Sequence, residues 1–178
     1  TGACTFNNCY VTTNVRVVAT GQVNLQNSDL INDVNLSAPD FSFSGGNLLA
    51  TQSGDAQITF TGVSGDYWNG GNTFGNSNGV IRITNNGSGQ VVVGNGSGDT
   101  YNTDVILSNN TPSSIFYFAH AGTNTFSGDV QLNNTSTGGV QWGASNGTST
   151  FAAGKAVYTG DYRNGPLQLS RITQSGTT

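Results

Sequence analysis

The sequence predicts an all-β protein with the parallel β-helix (β-solenoid) fold, in coils of about 24–25 residues. Three observations lead to this prediction. A Thr-aromatic dipeptide recurs along the chain, two short apolar runs recur between its copies, and Asn-rich corners recur in step with the runs. A repeating unit of this size cannot bury its apolar side chains alone, so we expect successive units to stack and share one core.

The Thr-aromatic dipeptide marks the repeat most clearly. Its copies are Thr73-Phe74, Thr100-Tyr101, Thr125-Phe126 and Thr150-Phe151. The steps between the aromatic residues are 27, 25 and 25 residues. Because neighbouring residues of a strand point to opposite sides, we expect the aromatic rings inside and the threonines outside.

Two apolar runs lie between successive dipeptides, and each alternates like a half-buried strand. The first run is Ile81-Arg82-Ile83, then Val105-Ile106-Leu107, then Val130-Gln131-Leu132. The second is Val91-Val92-Val93, then Ile115-Phe116-Tyr117, then Val140-Gln141-Trp142, and it begins ten residues after the first in each coil. The first and third residues of each run are predicted to face inward. This assigns Tyr117, Phe126 and Trp142 to the core, and Arg82, Gln131 and Gln141 to the outer surface.

Pairs of asparagines recur at the predicted corners between strands. The pairs Asn85-Asn86, Asn109-Asn110 and Asn133-Asn134 recur at steps of 24 residues. Asparagines stacked in register at a bend can hydrogen-bond from coil to coil as an Asn ladder. Asn is also simply a good turn residue, so both interpretations are structural.

The periodicity divides one continuous domain into three parts. Residues 1–71 are predicted to form less regular N-terminal coils with an insertion near 61–72, residues 72–157 the regular solenoid repeats, and residues 158–178 a last degenerate coil or linker. Solenoids need covered ends. We therefore expect end-to-end self-association or continuation into a longer chain.

Composition excludes several classes of partner. Charged residues make up 8% of the chain, against about 25% in typical domains. The net charge is −4 and Lys155 is the only lysine, which argues against nucleic-acid binding. The sequence contains no run of 18 apolar residues, so it predicts no membrane-spanning helix. No signal peptide is visible, so an exported protein would have lost it or would be longer than this sequence.

The two cysteines, Cys4 and Cys9, are predicted to form a local disulfide, which implies an oxidising compartment. A zinc site would need further ligands, and the single histidine, His120, lies far away in sequence. A catalytic thiol has no nearby histidine in the sequence to activate it.

A unit such as residues 125–148, TFSGDVQLNNTSTGGVQWGASNGT, resembles the Asn/Thr/Gly-rich repeats of large secreted bacterial surface proteins. The resemblance is to adhesin-like proteins of the Bacteroidetes group and, more loosely, to filamentous haemagglutinins, and it covers residues 72–157. It implies export to the bacterial cell surface, a parallel β-helix, and a role in adhesion, gliding or filament structure. It brings no catalytic residue with it.

Parallel β-helices also include polysaccharide lyases and hydrolases, which makes carboxylate pairs relevant. Asp104 and Asp129 are 25 residues apart and are predicted to lie on adjacent coils. They could share a proton, hold a calcium ion, or be solvated turn residues. No His, Lys or Arg converges on them in the sequence. We therefore expect neither catalysis nor a cofactor, and keep a polysaccharide-degrading β-helix as an alternative.

One candidate ligand-binding segment lies in the insertion: Asp66, Tyr67, Trp68 and Asn69. An exposed aromatic ring there could stack on a sugar while Asp and Asn bind its hydroxyls. The competing interpretation is that the loop folds back and Trp68 covers the core. The segment Gly65–Gly70 is echoed by Gly160–Gly165.

Flat solenoid faces with threonine arrays can also bind ice, and Thr73, Thr100, Thr125 and Thr150 form one outward column by parity. The positions two residues further on do not form a second. The function predicted from the sequence is therefore a non-catalytic extracellular scaffold or adhesive segment, with glycan binding, polysaccharide degradation and ice binding as alternatives.

Overall fold

The computed structural model describes residues 2–63 and 66–175, without the side chains of residues 66 and 67; within these residues the chain is all-β and has no helix. The first strands are β1 (Cys4–Asn7), β2 (Tyr10–Val11), β3 (Val15–Val18), β4 (Val23–Gln26), β5 (Asp29–Leu30), β6 (Val34–Ala38), β7 (Phe41–Ser44), β8 (Leu48–Leu49) and β9 (Ala56–Phe60). The next are β10 (Asp66–Trp68), β11 (Thr73–Phe74), β12 (Val80–Asn85), β13 (Val91–Val93), β14 (Thr100–Tyr101), β15 (Asp104–Asn109), β16 (Phe116–Phe118) and β17 (Thr123–Phe126). The last are β18 (Val130–Asn134), β19 (Val140–Trp142), β20 (Thr148–Phe151), β21 (Val157–Tyr162), β22 (Leu167–Leu169) and β23 (Ile172–Gln174).

Every third strand belongs to the same face of a three-sided coil. Face A contains two sheets, β1-β4-β7 and β10-β13-β16-β19-β22; face B runs from β2 to β23, and face C from β3 to β21. Within each sheet a strand pairs in parallel with its counterparts one coil away, as β12 does with β9 and β15. The predicted parallel β-helix is therefore confirmed.

Alternation within each strand builds the core. In β18, Val130 and Leu132 are buried while Gln131 between them is partly exposed. The same parity puts Trp142 inside and Gln141 outside on β19. Apolar side chains from all three faces meet in one cluster that extends from Val23 to Phe151.

The inward aromatic residues of face B form a stack of rings, which Trp68 of face A joins at one end. Trp68 stacks on Phe74 with ring centroids 5.3 Å apart, Phe74 on Tyr101 at 5.3 Å, and Tyr101 on Phe126 at 4.8 Å. Phe126 continues to Phe151 at 4.7 Å. The Thr-aromatic dipeptides therefore lie in register, and offset stacking adds stability beyond the burial of apolar area.

The predicted inward position of Tyr117 is wrong. Phe116 and Phe118 are the buried residues of β16, and Tyr117 points outward. Val91 pairs with Phe116, which lies eleven residues after Val105 instead of ten. The corner before β16 holds one extra residue, and a one-residue shift moves every side chain of a strand to the opposite face.

Short coils account for the weak periodicity of the N-terminal part. Cys4 pairs with Val23, a step of 19 residues, and Val23 with Phe41, a step of 18. Later coils are longer: Thr73 pairs with Thr100, a step of 27. The coil length changes along the chain, so one period near 25 residues cannot describe all of it.

The predicted disulfide is not formed, and Cys4 and Cys9 are both free and half-buried. Strand β1 runs extended from Cys4 to Asn7, which separates the Cα atoms of Cys4 and Asn7 by about 10 Å at 3.3 Å per residue. The chain then turns at Asn8, which has a φ of 52°. Cys4 therefore lies at the start of a strand and Cys9 beyond the turn that follows it, and their thiols are not bonded to each other.

Thiol titration checks this geometry. We expect two reactive thiols per unfolded chain in protein purified without reductant, and one in the Cys4→Ser variant. No thiols in the wild type, with an intact mass lower by two hydrogens, would mean that the first coil opens far enough to form the bridge.

Candidate functional site

The predicted recognition segment around Trp68 is not an exposed loop. Trp68 ends strand β10, pairs with Val93, and has a side chain that is 0% exposed. Its ring lies between Phe43 at 4.8 Å and Phe74 at 5.3 Å. The prediction that Trp68 stacks on a sugar is wrong, because coil stacking places its ring in the core. Asn69 is exposed.

The side chains of Asp66 and Tyr67 lie outside the described residues, so their predicted role in ligand binding stays a prediction. Asn69 contributes its backbone carbonyl to the fold, where it accepts a hydrogen bond from Asn72 Nδ2 at 3.1 Å. Of the four predicted residues, the structure therefore describes Trp68 and Asn69 in full. Trp68 is too deeply buried to contact a sugar, and the predicted binding of hydroxyls by Asn69 stays a prediction.

A buried polar ladder runs along the corner between faces A and B. Its members are Ser28, Asn47, Asn72, Asp99, Asn124 and Ser149, each of them at most 1% exposed. Each lies directly before the two residues of face B that pair from coil to coil. The ladder is thus the polar edge of the same repeat that produces the aromatic stack.

Side-chain oxygens of this ladder accept backbone N–H groups of the coil before. Asn47 Oδ1 accepts from Ser28 N at 2.9 Å, Asp99 Oδ1 from Asn72 N at 2.9 Å, and Asn124 Oδ1 from Asp99 N at 2.9 Å. An unpaired N–H at a buried corner would be costly. The ladder therefore satisfies the corner in successive coils.

Asp99 is the ionisable member of the ladder and accepts four hydrogen bonds. Its Oδ1 accepts from the backbone N and from Nδ2 of Asn72, at 2.9 and 3.0 Å. Its Oδ2 accepts from Trp68 Nε1 at 3.0 Å and Tyr101 OH at 3.4 Å. Burial raises the pKa of Asp99 from 3.8 to about 6, although these donors favour the charged form.

The same cluster also perturbs Tyr101. Burial, followed by the nearby charge of Asp99, raises the pKa of Tyr101 well above its usual value, so its hydroxyl remains a donor. Perturbed acids often mark active sites. Here Asp99 is 1% exposed and surrounded by side chains, so no substrate reaches it. The arrangement is a structural joint between coils.

Both tryptophans donate to the ladder where its member lacks an amide group. Trp68 Nε1 donates to Asp99, and Trp142 Nε1 donates to Ser149 Oγ at 2.8 Å. At Asn47 and Asn72, by contrast, Nδ2 donates to the carbonyl three residues earlier. Asp99 and Ser149 therefore occupy the two ladder positions at which an indole N–H needs an oxygen acceptor.

This ladder was missed by sequence reasoning, although a signal for it exists. The residue before each Thr-aromatic dipeptide is Asn72, Asp99, Asn124 or Ser149. A small polar residue in each repeat, next to a buried aromatic residue, indicates a buried hydrogen-bonding column.

The predicted Asn ladder lies at the corner between faces C and A, with one change of register. Asn85 Nδ2 donates to Asn109 Oδ1 at 3.3 Å, and Asn110 Nδ2 to Asn86 Oδ1 at 3.0 Å. In the next coil Asn134, not Asn133, pairs with Asn109.

Asp104 and Asp129 lie on adjacent coils, and their carboxylates bind backbone. Asp104 Oδ1 accepts from Asp129 N at 2.9 Å, and Asp129 Oδ1 from Ala156 N at 2.9 Å. Lys155 Nζ lies 3.3 Å from Asp129 Oδ2, so the expectation that no basic residue converges on the pair is wrong: the stacked coils bring Lys155 next to Asp129. These bonds favour the interpretation of the pair as corner residues. Among the described residues, no three His, Cys, Asp or Glu side chains are grouped to hold a metal.

The histidine and the cysteines lie far apart along the stack. His120 follows β16, five coil steps from β1, which is about 24 Å at 4.8 Å per step. Its Nδ1 is buried without a hydrogen-bond partner, and burial lowers the pKa of the ring. His120 packs edge-on against Tyr117 at 5.6 Å, so it does not activate either thiol.

The outward threonines of face B form the expected column. Thr125 Oγ1 donates to Thr100 Oγ1 at 3.2 Å, and Thr150 and Thr173 hydroxyls are 3.4 Å apart. A second column holds Thr148 and Thr123, whose hydroxyls are 3.3 Å apart. The array is thus two threonines wide in two of the described coils.

Comparisons of the chain with protein-family models, curated proteins and solved structures found no match. The described residues include no helix that could span a membrane.

Proposed function

We propose that the chain is a non-catalytic extracellular scaffold or adhesive segment of a large bacterial surface or filament protein. The observation that carries the proposal is the continuous apolar core of the stacked coils, which pair with one another along faces B and C and, apart from the break between β7 and β10, along face A. Such a stack is a rod that holds surface side chains at fixed spacing, about 4.8 Å per coil.

The use of the carboxylates supports the non-catalytic part of the proposal. Asp33 Oδ1 accepts from Asp55 N, and Asp55 Oδ1 from Val80 N, at 2.9 and 2.8 Å. Asp104 and Asp129 repeat this bond further along the stack. Carboxylates engaged in this way stabilise corners. Glycoside hydrolysis needs an acid and a base or nucleophile facing one groove together, whereas Asp104 lines an open groove without Asp129.

The C-terminal end of the described stack supports a contact with a further coil. Leu169 faces inward on β22, yet its side chain is 47% exposed. Phe151, Val157 and Ile172 line a cavity of about 330 Å³ beside it. We propose that a further coil packs here, from the same chain or a second copy, which makes the segment part of a longer rod.

The proposal of export rests on the resemblance to repeats of secreted bacterial surface proteins and on the low content of charged residues. It does not rest on the cysteines. The free thiols of Cys4 and Cys9 remove the argument that a disulfide would have provided for an oxidising compartment.

Antibody labelling of intact source cells tests the surface location. An antibody raised against this segment should label unpermeabilised cells, and external protease should remove the signal while a cytoplasmic marker survives. Labelling that requires permeabilisation would contradict the proposal.

A further inference from the structure

An exposed tyrosine stands on the outer side of face C. Tyr158 pairs with Gln131 of the neighbouring coil, and its side chain is 50% exposed. Both side chains arise from long paired strands, β18 and β21, so their positions are fixed by the stack. A partly exposed ring on a rigid strand offers an apolar face without the ordering cost of a mobile loop.

A chain of hydrogen bonds holds polar groups beside this ring. Tyr158 OH donates to Gln131 Oε1 at 3.3 Å, and Gln131 Nε2 donates to Asn133 Oδ1 at 3.0 Å. Asn133 Nδ2 in turn donates to Ser108 Oγ at 3.3 Å. The network spans three neighbouring strands, so the amides are oriented before any ligand arrives.

An ion pair completes the patch. Arg163 Nε donates to Asp161 Oδ1 at 2.6 Å, and the two side chains are 68% and 56% exposed. Arg163 holds the pKa of Asp161 below its usual value, so the carboxylate is ionised at neutral pH. The pair leaves Asp161 Oδ2 and the Arg163 terminal nitrogens facing solvent, an acceptor and donors side by side with little net charge.

A β-bulge in β21 ties Asp161 to the amide network that begins at Tyr158. Leu132 pairs with Thr159 and Asn134 with Tyr162, so β21 has an extra residue opposite Asn133. Asp161 N donates to Asn133 Oδ1 at 2.9 Å, which anchors the bulge to the amide network. Bulges re-aim side chains and are common at functional sites.

Gly160 allows the bulged strand to lie against the amides. A Cβ at Gly160 would come 2.2 Å from Gln131 Nε2 and 2.4 Å from Asn133 Oδ1. Its φ lies outside the left-handed region, so alanine would fit the backbone but displace both amide groups. This glycine therefore offers a way to disturb the patch without straining the fold.

We propose that the patch formed by Tyr158, Gln131, Asn133, Asp161 and Arg163 binds a neutral saccharide unit of a surface polysaccharide. One face of the sugar ring stacks on Tyr158. Its hydroxyls donate to Asp161 Oδ2 and accept from the Arg163 nitrogens. The balanced charge of the ion pair favours hydroxyls over an anionic or cationic ligand. The site deepens the proposed adhesive function and rests on it.

Affinity electrophoresis with soluble neutral polysaccharides, namely mannan, galactan, hydroxyethyl cellulose and an α-glucan, tests the site. At least one should retard the wild-type protein. Tyr158→Ala should weaken that interaction at least tenfold, and Gly160→Ala should weaken it by displacing the amides. Tyr10→Ala should leave it unchanged, because Tyr10 is equally an exposed tyrosine, 64% exposed, but lies on face B.

Thermal melts of Tyr158→Ala and Tyr10→Ala should match the wild type, which separates lost binding from lost folding. Gly160→Ala also disturbs the bond between Asp161 N and Asn133, so its melt should show only that it stays folded at the assay temperature. Retardation that survives Tyr158→Ala, or that occurs only with alginate or polygalacturonate, would overturn the neutral-saccharide site. No retardation by any neutral polysaccharide would overturn it as well. The surface-scaffold proposal is judged separately, by labelling of intact cells.

Discussion

Replacing Trp68 with alanine should lower the free energy of unfolding by about 3–5 kcal/mol, the range for emptying a large buried aromatic site. The indole packs between Phe43 and Phe74, and the coils on either side cannot close over the space it leaves. Asp99 would also lose the Nε1 donor that now contacts Oδ2. Trp142→Ala should cost a similar amount, because Trp142 is 1% exposed and bonded to Ser149.

Chemical denaturation measures both variants, with the remaining tryptophan as the fluorescent reporter in each. Tyr158→Ala is the matched surface control and should change the free energy of unfolding by less than about 0.5 kcal/mol. If Trp68→Ala unfolds at the wild-type denaturant concentration, its ring is not part of the core and the stacking of β10 on β7 is wrong.

The second large effect is a pH dependence of stability caused by Asp99. Burial raises its pKa from 3.8 to about 6 in the folded protein, so the folded state holds the proton more tightly than the unfolded chain. Below pH 3.8 both states are protonated and the contribution of Asp99 to stability is greatest. Stability then falls as the pH rises towards 6 and levels off above it. Two pKa units correspond to about 3 kcal/mol.

Comparing the wild type with Asp99→Asn isolates this group from the other carboxylates. Asparagine occupies the equivalent position at Asn47, Asn72 and Asn124, so the substitution keeps the shape of the ladder. It turns Nδ2 towards Trp68 Nε1, a cost that does not depend on pH, so the change of the stability difference with pH reports on the ionisation of Asp99. We expect the stability difference between the variant and the wild type to shift in favour of the variant by about 2.4 kcal/mol between pH 4 and pH 7. A difference between the two proteins that is the same at both pH values would show that Asp99 titrates normally in the fold.

The parallel solenoid could be predicted because its repeat is visible in local patterns. Thr-aromatic dipeptides and alternating runs depend on strand parity, which is set by neighbouring residues, and Phe126 and Trp142 therefore lie where expected. Tyr117 does not, because Ile115-x-Tyr117 and Phe116-x-Phe118 fit the alternation equally well. The longer corner before β16 decides between them, and sequence alternation does not measure corner length.

The site residues were harder to predict because their surroundings come from other coils. Trp68 is flanked by Gly, Asp and Asn and resembles an exposed loop residue, yet Asp99, 31 positions later, accepts its indole N–H. Tyr158 and Gln131 are 27 positions apart and meet because coils stack. Such neighbours become visible only when the step of each coil is known, and that step varies from 18 to 28 residues.

The central claim is that this rod offers surface recognition without chemistry. Release of reducing ends from the neutral polysaccharides tests it most directly, with the wild type beside Asp104→Asn and Asp129→Asn. The account predicts no release above the protein-free control for any of the three. Release by the wild type that either substitution abolishes would contradict the account, because it would make these corner carboxylates catalytic.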